Sequence, residues 1–368
     1  MSYLISVKDN NPRIQNSNDI FILDYLKNEL NNTKSRIDNH IKEWEKVKKQ
    51  IHDYEYVYYS SYHKKNISDV IPVSRSYFKF REIFYKYNLH LEKDSRVCSL
   101  AEAPGGFIQS IIHLVPKNYL IKIYANSLLS KDKSIPIWNN MIRKFKLRFI
   151  YGKNNDGDLC DFSNLLSMIK EIGKSSCNLV TGDGGFDYSS DYSKQEFNSL
   201  RLIYSEIFMA LNIQCKGGVF ICKIFDTFMK ETIDLIYLLN LSYEKVYLHK
   251  PKMSRNSNSE KYIVCLNFKG YNKELVNQLC RGIVTLELNI SPNYLFYDKI
   301  RKYIIEYTVQ QIQSINKGIS MIENPTGGEY PSSKQLGMAI EWCNKYNIRI
   351  NDKCIYLNNS DRSRRGYY

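Results

Sequence analysis

Four residues in this chain have types and settings suited to proton-transfer chemistry: Lys79 in SRSYFKFREI, Asp183 in CNLVTGDGG, Lys223 in GGVFICKIFD and Glu260 in SRNSNSEKYIVC. Lys223 lies inside a strongly apolar run, where an unpaired ammonium would cost several kcal/mol, so it needs either a partner or a function. Asp183 ends another apolar run and is followed by Gly184 and Gly185, a place where carboxylates commonly point into a cleft. Lys79 and Glu260, taken singly, read as a solvated surface charge and a strand-edge charge. Brought together, two ammonium groups and two carboxylates are a kit for acid–base work. A lysine acts as a base near neutral pH only if its pKa is lowered, which a second ammonium does and a carboxylate opposes.

These residues need a scaffold, and from about residue 94 the chain supplies one. Seven short apolar runs, RVCSLA, LIKIYAN, LRFIYG, CNLVTGD, GGVFICKIF, YEKVYLH and KYIVCLNF, alternate with helical stretches such as Gln195 to Asn212. The spacing predicts an α/β fold, a doubly wound Rossmann-like sheet of about seven strands ending in an antiparallel pair. The run RVCSLA passes directly into EAPGGFIQ, which puts Gly105 and Gly106 at a strand-to-helix turn on the carboxyl edge of the sheet. Ligands bind at that edge, and free N–H groups of the following helix would suit an anionic group such as a carboxylate. The turn is neither GxxxxGK[ST] nor GxGxxG, which disfavours a P-loop NTPase and a standard dinucleotide enzyme. Apolar residues at Leu23, Leu26, Leu30, Ile37, Ile41, Trp44, Ile51 and Tyr54 recur at helical spacing before the sheet. After Gly270 come a helical period from Leu295 to Ile322, a turn-rich loop NPTGGEYPSS, a short helix and a basic tail, DRSRRGYY. The expected organisation is a helical arm over 1–65, a catalytic domain over 66–270 and a mainly helical extension over 271–368.

The segment LAEAPGGFIQ resembles the first motif of the FtsJ-like family, Rossmann-type ribose 2'-O-methyltransferases that include mRNA cap enzymes. The four residues named above match, in order, the Lys, Asp, Lys and Glu that the family places around its target hydroxyl. The resemblance covers roughly residues 74 to 268. It implies S-adenosylmethionine as cofactor and Lys223 as the base, with Lys79 tuning it and Glu260 positioning Lys79 and the ribose. Asp183 would orient the Lys223 amine beside the cofactor's methyl group. The methionine half would lie on the turn Ala103, Pro104, Gly105 and Gly106. Asp158 in DGDLCD would meet the adenine amine, and Asn126 in YANS stands where the family commonly has an acid bonding the cofactor ribose. No metal is implied.

Basic residues around these motifs, Arg75, Arg81, Lys250, Lys252, Arg255 and the cluster RKFKLR at 143–148, are candidate RNA phosphate contacts. The long flanks, together with SRSYFK and SRNSNSEKY, tilt the resemblance towards eukaryotic and viral cap enzymes and so towards capped mRNA as substrate, with other capping or transcription proteins as further partners. An rRNA enzyme and a non-catalytic RNA-binding subunit of the same fold are the alternatives. A DNA or protein methyltransferase would be expected to carry an Asn-Pro-Pro-Tyr-like motif where this chain has DGGF.

Composition agrees without deciding. The chain has 368 residues and a net charge of +14, which favours a polyanionic partner. Part of that excess follows from a richness in Asn, Ile, Lys and Tyr of the kind an AT-rich genome produces. The nine cysteines form no CxxC and no zinc-like cluster, as expected for a reduced intracellular protein without structural metal. No apolar run of membrane-spanning length occurs. The expected location is cytoplasmic, with a viral host cytoplasm, a virion or the nucleus as alternatives.

Overall fold

The computed structural model describes residues 1–7, 17–185, 194–325, 327–328 and 330–357, with main chain only for 17–22. The basic tail DRSRRGYY and two residues of the loop NPTGGEYPSS lie outside the described residues. All seven expected strands are present: β2 (Arg96–Leu100), β3 (Lys122–Ala125), β4 (Arg148–Phe149), β5 (Cys177–Gly182), β6 (Gln214–Ile224), β7 (Tyr243–His249) and β8 (Lys261–Phe268). An eighth, β1 (Ser2–Leu4), pairs antiparallel with β7 at the sheet edge, Ser2 opposite His249. The order is β1-β7-β8-β6-β5-β2-β3-β4. Strands β2 to β6 run parallel, and β8 inserts antiparallel between β6 and β7. Strand β2 is flanked by β5 on one side and β3 on the other, so the chain reverses its winding direction there and opens a crevice at the carboxyl edge.

Alternation along the strands divides the core between the two faces of the sheet. Cys98, Leu100, Phe220 and Cys222 pack with α6 (Phe162–Ile172), α7 (Gln195–Ile213) and α8 (Lys230–Ser242). Val97 and Ile221 pack on the other face with α3 (Ser76–Lys86) and α4 (Gly106–Leu114). The flanks complete the structure. Helices α1 (Ser17–Ser35) and α2 (Ile41–Gln50), separated by a 3-10 turn, bury Leu30 and Trp44 against Ile315 and Ile319 of α10 (Tyr294–Glu323). A Cβ on Gly318 would meet the Trp44 ring at 2.4 Å, so that glycine lets the two helices close. The expected apolar stripe fails at Ile41, which is 62% exposed, because the 3-10 turn before it shifts the helical phase. No described helix is long and apolar enough to cross a membrane.

Candidate active site

The crevice collects the ends of three strands and one helix. Lys223 stands one residue before the end of β6, opposite Tyr262 of β8, and Asp183 follows β5 directly. Glu260 immediately precedes β8, and Lys79 lies in the first half of α3. Lys223 Nζ donates to the Asp183 main-chain oxygen at 2.7 Å and lies 3.4 Å from Asp183 Oδ1. Tyr262 Oη donates to the same Oδ1 at 2.9 Å. Lys79 Nζ donates to Glu260 Oε2 at 2.7 Å, and Glu260 Oε1 is buried with no hydrogen-bond partner among the described residues. The site is thus two neighbouring lysine–carboxylate pairs, with all four side chains between 12% and 15% exposed.

Charge in the ligand-free crevice favours the protonated lysine. Burial alone would push the Lys223 pKa down, but Asp183, Glu260 and Glu206 together outweigh it and hold the ammonium above its ordinary value. Burial would raise the Glu260 carboxyl, yet Lys79 and then Lys223 hold it down at about 2. In the free protein, therefore, Lys223 carries its proton.

The glycine turn also departs from expectation. Glu102 Oε1 accepts the Phe107 N–H at 2.7 Å and the Ile108 N–H at 3.4 Å, so the protein's own carboxylate caps α4 where an anionic ligand was expected. Burial and then Asp183 push the Glu102 carboxyl well above its usual range, and its Oε2 is buried without a partner among the described residues. Gly105 has φ +110°, open to glycine and strained for other residues. A Cβ on Gly106 would sit 2.1 Å from Ser76 Oγ, so this glycine lets α3, which carries Lys79, approach the turn.

Around the crevice, Asp158 Oδ1 accepts the Cys160 N–H at 2.7 Å, which fixes the loop after β4. A Cβ on Gly157 would meet the Ser127 oxygen at 2.1 Å, so that loop lies directly against the end of β3. Asn126 is fully buried: Nδ2 donates to the Ile150 and Gly157 oxygens at 3.1 and 3.2 Å, and Oδ1 accepts the Ala101 N–H at 3.3 Å. Its amide ties three loops together.

Four of the five single arginine and lysine candidates for RNA face inward. Arg81 donates to the Tyr346 and Asn347 oxygens at 2.8 and 2.6 Å. Arg75 donates to the Tyr58 and Met253 oxygens and lies 3.3 Å from Glu55. Burial pulls the Arg75 pKa down to about 10, with Glu55 opposing. Arg255 makes a forked pair with Glu55 at 2.6 and 2.9 Å. Glu55 is completely buried and needs those cations, so these arginines are structural. Lys252 lies 5.0 Å from the centroid of the Tyr54 ring. Lys250 is also turned inward, donating to Asn258 and to the Glu260 main-chain oxygen.

Three residues of the site escaped sequence reading. Glu102 stood in plain view in LAEAPGGF, and its place five residues before the capped N–H was the available signal. Tyr262 is two residues after Glu260, hence on the same face of β8. Glu206, in the middle of α7, gave no local signal. It accepts from Cys222 Sγ at 3.2 Å and packs against Gly182 and Gly184 on either side of Asp183. Burial raises its carboxyl to about 7.

A mostly parallel α/β sheet with two lysine–carboxylate pairs at the carboxyl edge of its parallel strands defines a Rossmann-like protein. Residues 72–268 match the model of the FtsJ-like methyltransferase family, more than half of the chain, and the chain belongs to that family. It is 30% identical over 291 residues to cap-specific mRNA (nucleoside-2'-O-)-methyltransferase 2 of Mus musculus, covering 73% of this chain and 38% of that protein. It is 28% identical over 263 residues to the protein of the same name from Drosophila melanogaster, covering 68% of this chain and 37% of that one. It is also 36% identical over 166 residues to an inactive cap-specific mRNA (nucleoside-2'-O-)-methyltransferase 1B of Caenorhabditis briggsae, covering 44% of this chain and 20% of that protein. The chain thus spans well under half the length of these relatives.

Proposed function

We propose that this chain is an S-adenosylmethionine-dependent methyltransferase acting on the ribose 2'-oxygen of the first transcribed nucleotides of capped mRNA. The observation that carries this reading is the convergence of Lys79–Glu260 and Lys223–Asp183 in the crevice at the carboxyl edge of the parallel strands. The similarity to proteins named as cap-specific favours capped mRNA over rRNA as the substrate.

The residues present fit the cofactor. A cationic amino group suits the unpartnered carboxyl oxygen of Glu102 and the Asp183 carboxylate, and Asp158 is available on the loop after β4 for an amine. When bound, S-adenosylmethionine supplies a methyl group on a positively charged sulfur. The protein's own part is to align and deprotonate the hydroxyl. Glu260 fixes Lys79, Asp183 fixes Lys223 through its main chain and its carboxylate, and Tyr262 fixes Asp183. Lys223 must release its proton before it can accept one, and positive charge brought into the crevice favours that neutral amine.

The test is transfer of labelled methyl to a short capped RNA, with DNA of the same sequence and an rRNA fragment in parallel. Methyl should appear on a ribose 2'-oxygen of the capped RNA, and DNA should stay blank because it lacks the acceptor. Transfer to the rRNA fragment alone would move the substrate assignment to rRNA. Absence of transfer to any RNA, with RNA still bound, would favour a non-catalytic role.

A further inference from the structure

Directly behind the crevice, a second buried ion-pair network joins three distant parts of the chain. Lys34, near the end of α1, donates to Asp226 Oδ2 at 2.9 Å and to Ser259 Oγ at 3.1 Å. Ser259 Oγ donates in turn to Asp226 Oδ2 at 2.9 Å. Lys261 Nζ lies 3.6 Å from Asp226 Oδ1 and donates to the Phe225 oxygen at 3.1 Å. Gln311 of α10 reaches Ser259 Oγ at 3.4 Å. Burial opposes the charge on Asp226, but Lys34 and Lys261 hold its carboxyl at about 2.

The positions matter more than the charges. Asp226 is three residues beyond Lys223, just past the end of β6, and Ser259 immediately precedes Glu260. These are the two loops that set where Lys223 and Glu260 stand. Lys34 lies outside residues 72–268, the part matched to the family, yet its single ammonium bridges both loops.

We propose that Lys34 is a positioning residue, by which helix α1 fixes the separation of Lys223 and Glu260. It touches neither of them. It braces the Ser259–Asp226 hydrogen bond by holding both partners, and its removal leaves that bond and Lys261 as the ties between the two loops, loosened without the ammonium. Lys261 stays beside Asp226 when Lys34 is replaced, so the buried carboxylate keeps a cation and the fold keeps its core. The catalytic half of this inference rests on the function proposed above, whereas the structural half does not.

The experiment uses the full chain, with Lys34→Met and Lys34→Arg. Hydrogen exchange measured by mass spectrometry should show faster exchange in Lys34→Met confined to peptides covering 224–228 and 257–261, with Lys34→Arg restoring slow exchange. Methyl transfer to capped RNA should fall about tenfold or more in kcat for Lys34→Met, the scale expected from misaligned reacting groups, with little change in KM. Affinity for S-adenosylmethionine should not change. Unaltered exchange in both loops overturns the proposal whatever the activity, and so does a collapse of the melting temperature in both variants, which would make Lys34 a general support of the fold. A wild-type chain that methylates no RNA sinks the proposed function alone and leaves the exchange measurement to decide the tie.

Discussion

Lys223 holds its proton in the free protein because three carboxylates outweigh its burial. If it is the base, the single-turnover rate at saturating RNA should rise with pH and continue past the 7–8 window in which catalytic lysines are commonly tuned, unless bound substrates lower its pKa. A plateau at about 7–8 would show that they do. Lys223→Ala should reduce transfer by roughly 10²–10⁴-fold with cofactor binding intact. Lys223→Arg should fail similarly, since guanidinium does not give up its proton. Glu206 gives a separate readout in stability. Its folded pKa of about 7 lies above the ordinary carboxyl value of 4.5, so its contribution is complete below about pH 4.5 and is lost as pH rises through 7. Denaturant unfolding at pH 5.5 and 8 should show wild type losing on the order of 2–3 kcal/mol more than Glu206→Gln over that interval. An identical pH dependence in the two proteins would remove Glu206 as the titrating group. The opposite sign holds for Glu260 and Asp226, both held at about 2, whose contributions are present above pH 4–5 and lost as the solution is acidified towards 2.

Among the elements, α3 bears most directly on the crevice, because it presents Lys79 and contacts the glycine turn. Gly106→Ala would place a methyl 2.1 Å from Ser76 Oγ and 2.9 Å from the Tyr77 main-chain nitrogen, and the latter cannot rotate away. The variant should lose about 1–3 kcal/mol of stability and most of its methyl transfer, read by thermal melting and single-turnover assay. The segment containing Glu55, the start of α3 and the loop before Glu260 meet in the Arg75–Glu55–Arg255 cluster. Arg255→Ala should therefore destabilise the protein by on the order of 3 kcal/mol. It should leave the salt dependence of RNA binding unchanged, where a phosphate contact would lower the slope. The reason this was illegible is physical: sequence shows that Arg75, Arg81 and Arg255 are basic, but not that a buried glutamate or a row of carbonyl oxygens waits for them. The loop contacts of Asn126 were illegible for a similar reason, since a strand-end amide serves loop closure as readily as ligand binding. Lys223 and Asp183 were legible because their charges sit in or against apolar runs, and Lys79 and Glu260 because their motifs keep the family's order.

At the scale of the whole molecule, the seven strands from β2 to β8 and the mostly parallel, doubly wound class were readable from the spacing of apolar runs, and α7 and α10 from their helical period. Strand β1 was not: three residues, Ser2–Leu4, carry no alternation, and their partner lies in β7. That pairing bears on how the chain comes off a ribosome. Ser2 finds its place only opposite His249, and Lys34 only beside Asp226 and Ser259, all far along the chain. Segments made well before their partners stay unplaced until β7 and β8 have emerged, and in that interval they are open to wrong contacts.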